Sequence, residues 1–216
     1  MCGRFVLFTE SLLDEVGNLP GVQEVHAPQG TPGPRYNIAP TQPIPIVRVR
    51  EELAEVEPAR WALLPQWKKD MEGPPLFNAR AETVASKPSF RTAFKSQRCL
   101  IPMNGYYEWN KDGSTKTPYY VHLEHGLLWA AGLWDTGLDR LSATIVTTAA
   151  TEEMEWLHHR LPRFLAPEEM RTWLEGSAEE AKELLAPTGL RGFEYHAVDK
   201  AVGTVSNDYP ELLIRQ

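Results

Sequence analysis

Residues 98–148, RCLIPMNGYYEWNKDGSTKTPYYVHLEHGLLWAAGLWDTGLDRLSATIVTT, decide the fold class. Short runs rich in β-branched and aromatic residues alternate here with turn-forming clusters, which is the pattern of successive strands. Strands are expected over Arg98–Met103, Tyr106–Trp109, Tyr119–Leu123, Leu127–Trp134 and Ala143–Thr148. Lys111-Asp112-Gly113-Ser114 and Glu124-His125-Gly126 read as hairpin turns.

Outward from this block, Gly3–Phe8, Ile44–Val49, Arg60–Pro65 and Phe193–Val198 read as further strands. Helices are expected from a Thr9 cap to about Leu19, after Asn78–Thr83 as far as Phe94, over Thr151–His159, and over Pro167–Glu175. A last helix starts at Ser177, whose spacing to Glu180 is that of a capping box. Pro20–Arg35 is rich in proline and glycine and reads as a loop. No repeat or interdomain linker interrupts the pattern. The expectation is α+β: a single domain over residues 1–216, with a mixed, mainly antiparallel β core flanked by helices.

At 216 residues, 42% hydrophobic and 24% charged, the chain is an ordinary globular one, large enough to bury a core without staples. Two cysteines, Cys2 and Cys99, exclude a disulfide framework and a cysteine-rich zinc site. Cys99 sits in an apolar strand and reads as core. His122, His125, His159 and His196 have no ligand spacing, so neither a metal nor a cofactor is expected. No apolar run approaches the roughly 18 residues of a membrane span, and no signal peptide is apparent. A cytoplasmic protein without membrane contact follows. The net charge of −7 speaks against a broadly basic nucleic-acid binder. The arginines, however, cluster near motif-like segments, which leaves room for a basic cleft on an acidic body.

Cys2 carries the most distinctive chemistry. Loss of Met1 makes it N-terminal, with an amine and a thiol on neighbouring carbons. Their reference pKa values, about 7.7–8.0 and about 8.5, leave each a usable deprotonated fraction near neutrality. The amine can condense with an aldehyde to an imine, and the thiol can close onto the imine to form a thiazolidine. Alternatively the thiol can attack an amide carbonyl. A retained Met1 blocks the amine.

MCGRF at 1–5, YNIAPTQ at 36–42, NARAET at 78–83, RCLIPMNGYYEW at 98–109, AGLW at 131–134, IVTTAA at 145–150 and HHRLP at 158–162 together resemble the SRAP family. These are the SOS-response-associated peptidase-like proteins, which crosslink to abasic sites in DNA. The motifs run in the family's order over most of the chain. The resemblance implies a barrel-like core, and capture of the ring-opened abasic sugar in single-stranded DNA as a thiazolidine crosslink on Cys2. It also implies AP-lyase activity, self-removal of Met1, and a monomer that is nucleoid-associated when bound to DNA.

By the same resemblance, Cys2 is the crosslinking residue, Asn78 orients sugar and amine, Glu108 is the catalytic carboxylate, and His158 and Thr147 belong to the active site. The chemistry suits them. His158 can protonate the closed sugar's ring oxygen near neutral pH. A carboxyl among Tyr106, Tyr107 and Trp109 can shuttle protons. Asn78 donates and accepts without titrating. Arg4, Arg80 and Arg160 are candidates for phosphate contacts. Asn37, in YNIAPTQ, is a further candidate. Pro40, Trp67 and Trp109 could support or wedge apart flanking bases. Ala62, Leu161, Arg163 and Thr204 depart from the family's usual residues, which bears on DNA affinity and C-terminal packing.

Two other readings share some of these features. Class II glutamine amidotransferase domains also begin Met-Cys-Gly, with Cys2 as the nucleophile of an amidohydrolase. A non-enzymatic module for single-stranded DNA would leave Cys2 incidental.

Overall fold

In the computed structural model, which describes residues 2–112 and 114–216, strands dominate. The first are β1 (Phe5–Leu7), β2 (Glu24–His26) and β3 (Arg35–Ile38). β4 (Pro43–Arg50) and β5 (Leu53–Trp61) form a hairpin closed by Glu51 and Glu52. Both turn residues have positive φ, at 48° and 70°, the backbone that matches the right-handed twist of paired strands. β6 (Asn78–Arg80) and β7 (Arg98–Met103) come next, then β8 (Gly105–Asp112), β9 (Thr115–Leu123) and β10 (Leu128–Gly137). β11 (Arg140–Ala149), β12 (Arg160–Pro162) and β13 (Phe193–Ala197) complete the set. The turn between β10 and β11 is again a positive-φ pair, Leu138 and Asp139.

The strands make two layers. β11, β10, β7, β4 and β5 pair in that order, and β5 returns to β11 through a parallel contact, Ser142 to Arg60 and Ala143 to Trp61. This closes a five-stranded barrel, mixed in direction and mostly antiparallel. Closure removes the open edges on which a sheet aggregates. Inside the ring the strands run close together. A Cβ at Gly132 would stand 2.8 Å from Cys99 Sγ and 2.9 Å from Ile101 Cδ1, so only glycine fits.

The second layer is the antiparallel sheet β13-β9-β8-β1-β3. Its period of two is visible in the packing. Phe5, Leu7 and Tyr106 join the main core with the barrel, whereas Val6, Tyr107 and Tyr120 form a smaller cluster with Val198, Val202 and Leu212. One face of the sheet therefore lies on the barrel and the other under the C-terminal segment.

The helices are short: α1 (Leu12–Gly17), α2 (Ala81–Val84), α3 (Arg91–Ser96), α4 (Pro167–Glu175) and α5 (Ala178–Glu183). Ser177 caps α5 and shares a capping box with Glu180, as its spacing predicts. No described helix is long and apolar enough to cross a membrane.

Some expectations are corrected. Thr151–His159 is not a helix but a run of turns, with Leu157 and His158 both donating to the Met154 carbonyl. The reason is topological: Ala149 pairs directly with Arg160, so residues 150–159 must return to their starting point, and a helix rising about 1.5 Å per residue cannot. The Glu124–Gly126 turn is not a hairpin. β9 stays in the second sheet while β10 enters the barrel, so these residues carry the chain between layers. The expected turn at Lys111–Ser114 includes Gly113, which lies outside the described residues; its flanks pair as far as Asp112 and Thr115. α1 is shorter than Thr9–Leu19 and lacks a side-chain cap. The helical stretch to Phe94 is split into α2 and α3. The strand expected at Arg60–Pro65 is displaced, since β5 occupies Leu53–Trp61 and shares only Arg60 and Trp61 with it, and β2 forms inside the expected loop 20–35.

Candidate active site

Register builds the site. β1 pairs antiparallel with β8, Phe5 opposite Tyr106, and Tyr107 donates its backbone N–H to the Arg4 carbonyl at 2.9 Å. Continuing that register sets Gly3 opposite Glu108 and brings Cys2 to the carboxylate's side. From the barrel, β11 pairs in parallel with β6, setting Asn78 beside Ile145, and antiparallel with β12, whose start follows His158. Cys2, Asn78, Glu108 and His158 thus converge where the second sheet meets the end of β11.

The contacts are specific. Asn78 Nδ2 donates to the Cys2 carbonyl at 2.8 Å, while Asn78 Oδ1 is buried with no hydrogen-bond partner among the described residues. Glu108 is buried, and its Oε1 accepts from the Trp109 N–H at 3.1 Å. The Cys2 side chain is 1% exposed. Burial, and secondarily the Glu108 carboxylate, push its thiol up to about 12, so the thiol stays protonated until a base takes its proton. Burial likewise lowers the His158 pKa from its ordinary 6.5, with Glu108 opposing and His159 assisting. His159 stacks on His158 at 4.3 Å between centroids. His158 Nδ1 accepts the Arg160 backbone N–H at 2.9 Å, which places the neutral ring's proton on Nε2. Tyr106 keeps its proton, its pKa raised by burial first and then by Cys2 and Glu108.

A cleft of about 690 Å³ opens at Glu108 and His158, its lining including Gly3, Arg4, Trp109 and Leu157. Arg4 is not a free cation. It donates to Asn37 Oδ1 at 3.0 Å and to the Val202 and Gly203 carbonyls at 2.5 and 3.1 Å. Asn37 is fully buried and donates to the carbonyls of Val202, Thr204 and Asn207. Both residues moor the C-terminal segment, so Asn37 offers nothing to a ligand's surface. Arg160 is also corrected as a phosphate contact. It is 6% exposed, paired with Glu82, and donates to the Thr147 carbonyl at 2.6 Å and to Thr147 Oγ1 at 3.3 Å. Thr147 is buried beneath it. Arg80 does reach solvent, its side chain 64% exposed. Trp67 is 61% exposed and Pro40 half-buried, and neither lines the cleft.

Among the lining residues that sequence reasoning missed are Lys111, Lys116 and Trp156. The β8–β9 hairpin was the available signal for the lysines, since they face each other across it. Trp156 was hidden by the mistaken helix. No group of three His, Cys, Asp or Glu side chains suited to a metal occurs among the described residues.

A family model described as "SOS response associated peptidase (SRAP)" matches residues 1–205. Abasic site processing protein YoqW of Bacillus subtilis (strain 168) is 37% identical over 224 residues, covering 99% of each chain. Abasic site processing protein YedK of Escherichia coli (strain K12) is 32% identical over 223 residues, again covering 99% of each. Abasic site processing protein HMCES of Gallus gallus is 28% identical over 228 residues, covering 86% of this chain and 67% of its own. A crystal structure of a Bacteroides thetaiotaomicron protein superposes with a TM-score of 0.84 at 25% identity, covering all of both chains. With its two-layer fold and its motifs in order, the chain belongs to the SOS response associated peptidase (SRAP) family.

Proposed function

We propose that this protein processes abasic sites in single-stranded DNA by covalent capture through Cys2 once Met1 is removed. The observation that carries the reading is the placement of Cys2, pinned through its carbonyl by Asn78 and close to the Glu108 carboxylate, which with the neighbouring Gly3 lines the cleft. The names of its relatives as abasic site processing proteins support the lesion assigned here.

The closed sugar opens to its aldehyde as its C1 hydroxyl proton passes by way of the Glu108 carboxylate to the ring oxygen, while neutral His158 donates a hydrogen bond from Nε2 to that oxygen and the ring C–O bond breaks. The Cys2 amine adds to the aldehyde carbon to give a carbinolamine, which loses one water to become the imine. Glu108 accepts and returns the protons of that step. Addition of the thiol across C=N, with the thiol proton passing to nitrogen, closes the thiazolidine. The net change is protein plus DNA minus one water. Asn78 Oδ1, the buried acceptor left unsatisfied, suits the α-amine that trimming creates. The same imine permits β-elimination of the 3′ phosphate, an AP-lyase step, and the same thiol serves autocatalytic loss of Met1. One chain supplies all four groups, so a monomer suffices, acting in the cytoplasm on damaged chromosomal DNA.

Incubation of Met1-free protein with a labelled abasic oligonucleotide, read on a denaturing gel, tests the reading. A slow-migrating adduct is expected, absent with Cys2→Ala and with an undamaged strand. An adduct that survives Cys2→Ala overturns the assignment of the nucleophile.

A further inference from the structure

Trp156 is a large aromatic residue that the fold does not need in its core. The loop over residues 151–158 is anchored by Met154 and Leu157, exposed by 1% and 4%, while Trp156 stays 41% exposed. Its position is nevertheless fixed. Asn110 Nδ2 donates to the Trp156 carbonyl at 2.6 Å. The indole meets Tyr119 at 5.0 Å between centroids, nearly perpendicular, and Tyr195 at 4.9 Å with the rings tilted by 50°. Tyr119 lies directly across β8–β9 from Glu108, which ties the aromatic group to the strand bearing the carboxylate. Trp156 also lines the cleft that holds Glu108 and His158.

The charge of the cleft wall is local. Lys111 and Lys116 face each other in the β8–β9 register and both line the cleft, with the Lys116 ammonium 5.3 Å from the Trp109 ring centroid. In a chain of net charge −7, these cations favour an anionic backbone at this wall. The exposed carboxylates of Glu152, Glu153 and Glu155 make the 151–158 loop itself unfavourable for phosphate. A strand crossing here is therefore drawn with its backbone over the lysines and a base toward Trp156.

We infer that Trp156, held by Tyr119 and Tyr195, is a stacking subsite for one unpaired base flanking the lesion, with Lys111 and Lys116 receiving the adjoining phosphate. The inference rests on the abasic-site reading above and adds where the neighbouring nucleotide goes. Stacking on an indole is tolerant of base identity, because every base has a π-face. It is closed to a base already stacked within a duplex, so the subsite selects unpaired DNA.

The test uses the full chain and oligonucleotides carrying tetrahydrofuran, an unreactive stand-in for the abasic sugar, with the flank lengthened one nucleotide at a time on either side. Affinity is read by fluorescence anisotropy, alongside a melting curve for each variant. Trp156→Ala is expected to weaken binding of the long-flanked oligonucleotide about fivefold or more. That loss should exceed the loss on the shortest flank and fall on one side of the lesion only. Trp156→Phe should recover most of it. Lys116→Ala should lower the slope of log affinity against log salt by about 0.7. Loss independent of flank length, or no rescue by phenylalanine, overturns the subsite. A failure of the unmutated protein to prefer tetrahydrofuran over an undamaged strand sinks the abasic-site reading instead. A flank effect dependent on Trp156 would then uphold the subsite for undamaged strands.

Discussion

Replacing Arg160 by methionine separates a structural arginine from a DNA-binding one. The guanidinium is 6% exposed and fills a gap between Glu82 and the end of β11. Its removal strands the buried Thr147 carbonyl, which loses a 2.6 Å hydrogen bond. An unsatisfied buried acceptor costs about 1–3 kcal/mol. The Glu82 side chain is 50% exposed, so its carboxylate is rehydrated when its partner leaves and adds little. For a chain of this size each kcal/mol moves the melting temperature by about 2–4 °C, so a fall of about 2–12 °C is expected. The salt dependence of single-strand binding should not change, because this guanidinium faces no phosphate. Arg80→Ala should do the opposite: little change in melting, and a salt slope smaller by about 0.7, the share of one phosphate contact. Thermal denaturation and anisotropy titrations at several salt concentrations read both quantities. An Arg160→Met protein that melts normally yet loses salt dependence would refute the reasoning.

Asn78→Ala removes the donor to the Cys2 carbonyl and with it the fixed position of the nucleophile. Single-turnover capture should slow by about tenfold or more, because misplacement of a reacting group by about 1 Å can cost a hundredfold; an unchanged rate rules out the positioning role. His158 should titrate below 6.5 in ring NMR spectra, since burial disfavours its charged form. The unfolded chain then binds that proton first, so the His158 contribution to stability is complete above about pH 6.5 and is lost as pH falls below it, a trend that His158→Gln should reduce. A His158 ring titrating above 6.5 would contradict the geometry.

The strands of residues 98–148 were legible because their apolar runs are bounded by turn residues. Most of β5 was not, because its hairpin turns on Glu51 and Glu52, which adopt positive φ without the Asn or Gly that usually signals it. Barrel closure was equally hidden, since it rests on a parallel contact between segments some eighty residues apart. At the site, Cys2, Asn78, Glu108 and His158 stood out through motif company. What Arg4, Asn37 and Arg160 do depends on partners far along the chain, which residue type does not reveal. The helix expected at Thr151–His159 shows the same limit: a local pattern was overridden by the pairing of β11 with β12.

Intact-mass spectrometry of the protein, with and without an abasic single-stranded oligonucleotide and under denaturing conditions, tests the central claim most directly. The account predicts a chain lighter by one methionine residue, and on incubation a second species heavier by the oligonucleotide less one water. A trimmed chain whose mass is unchanged by the lesion would contradict it.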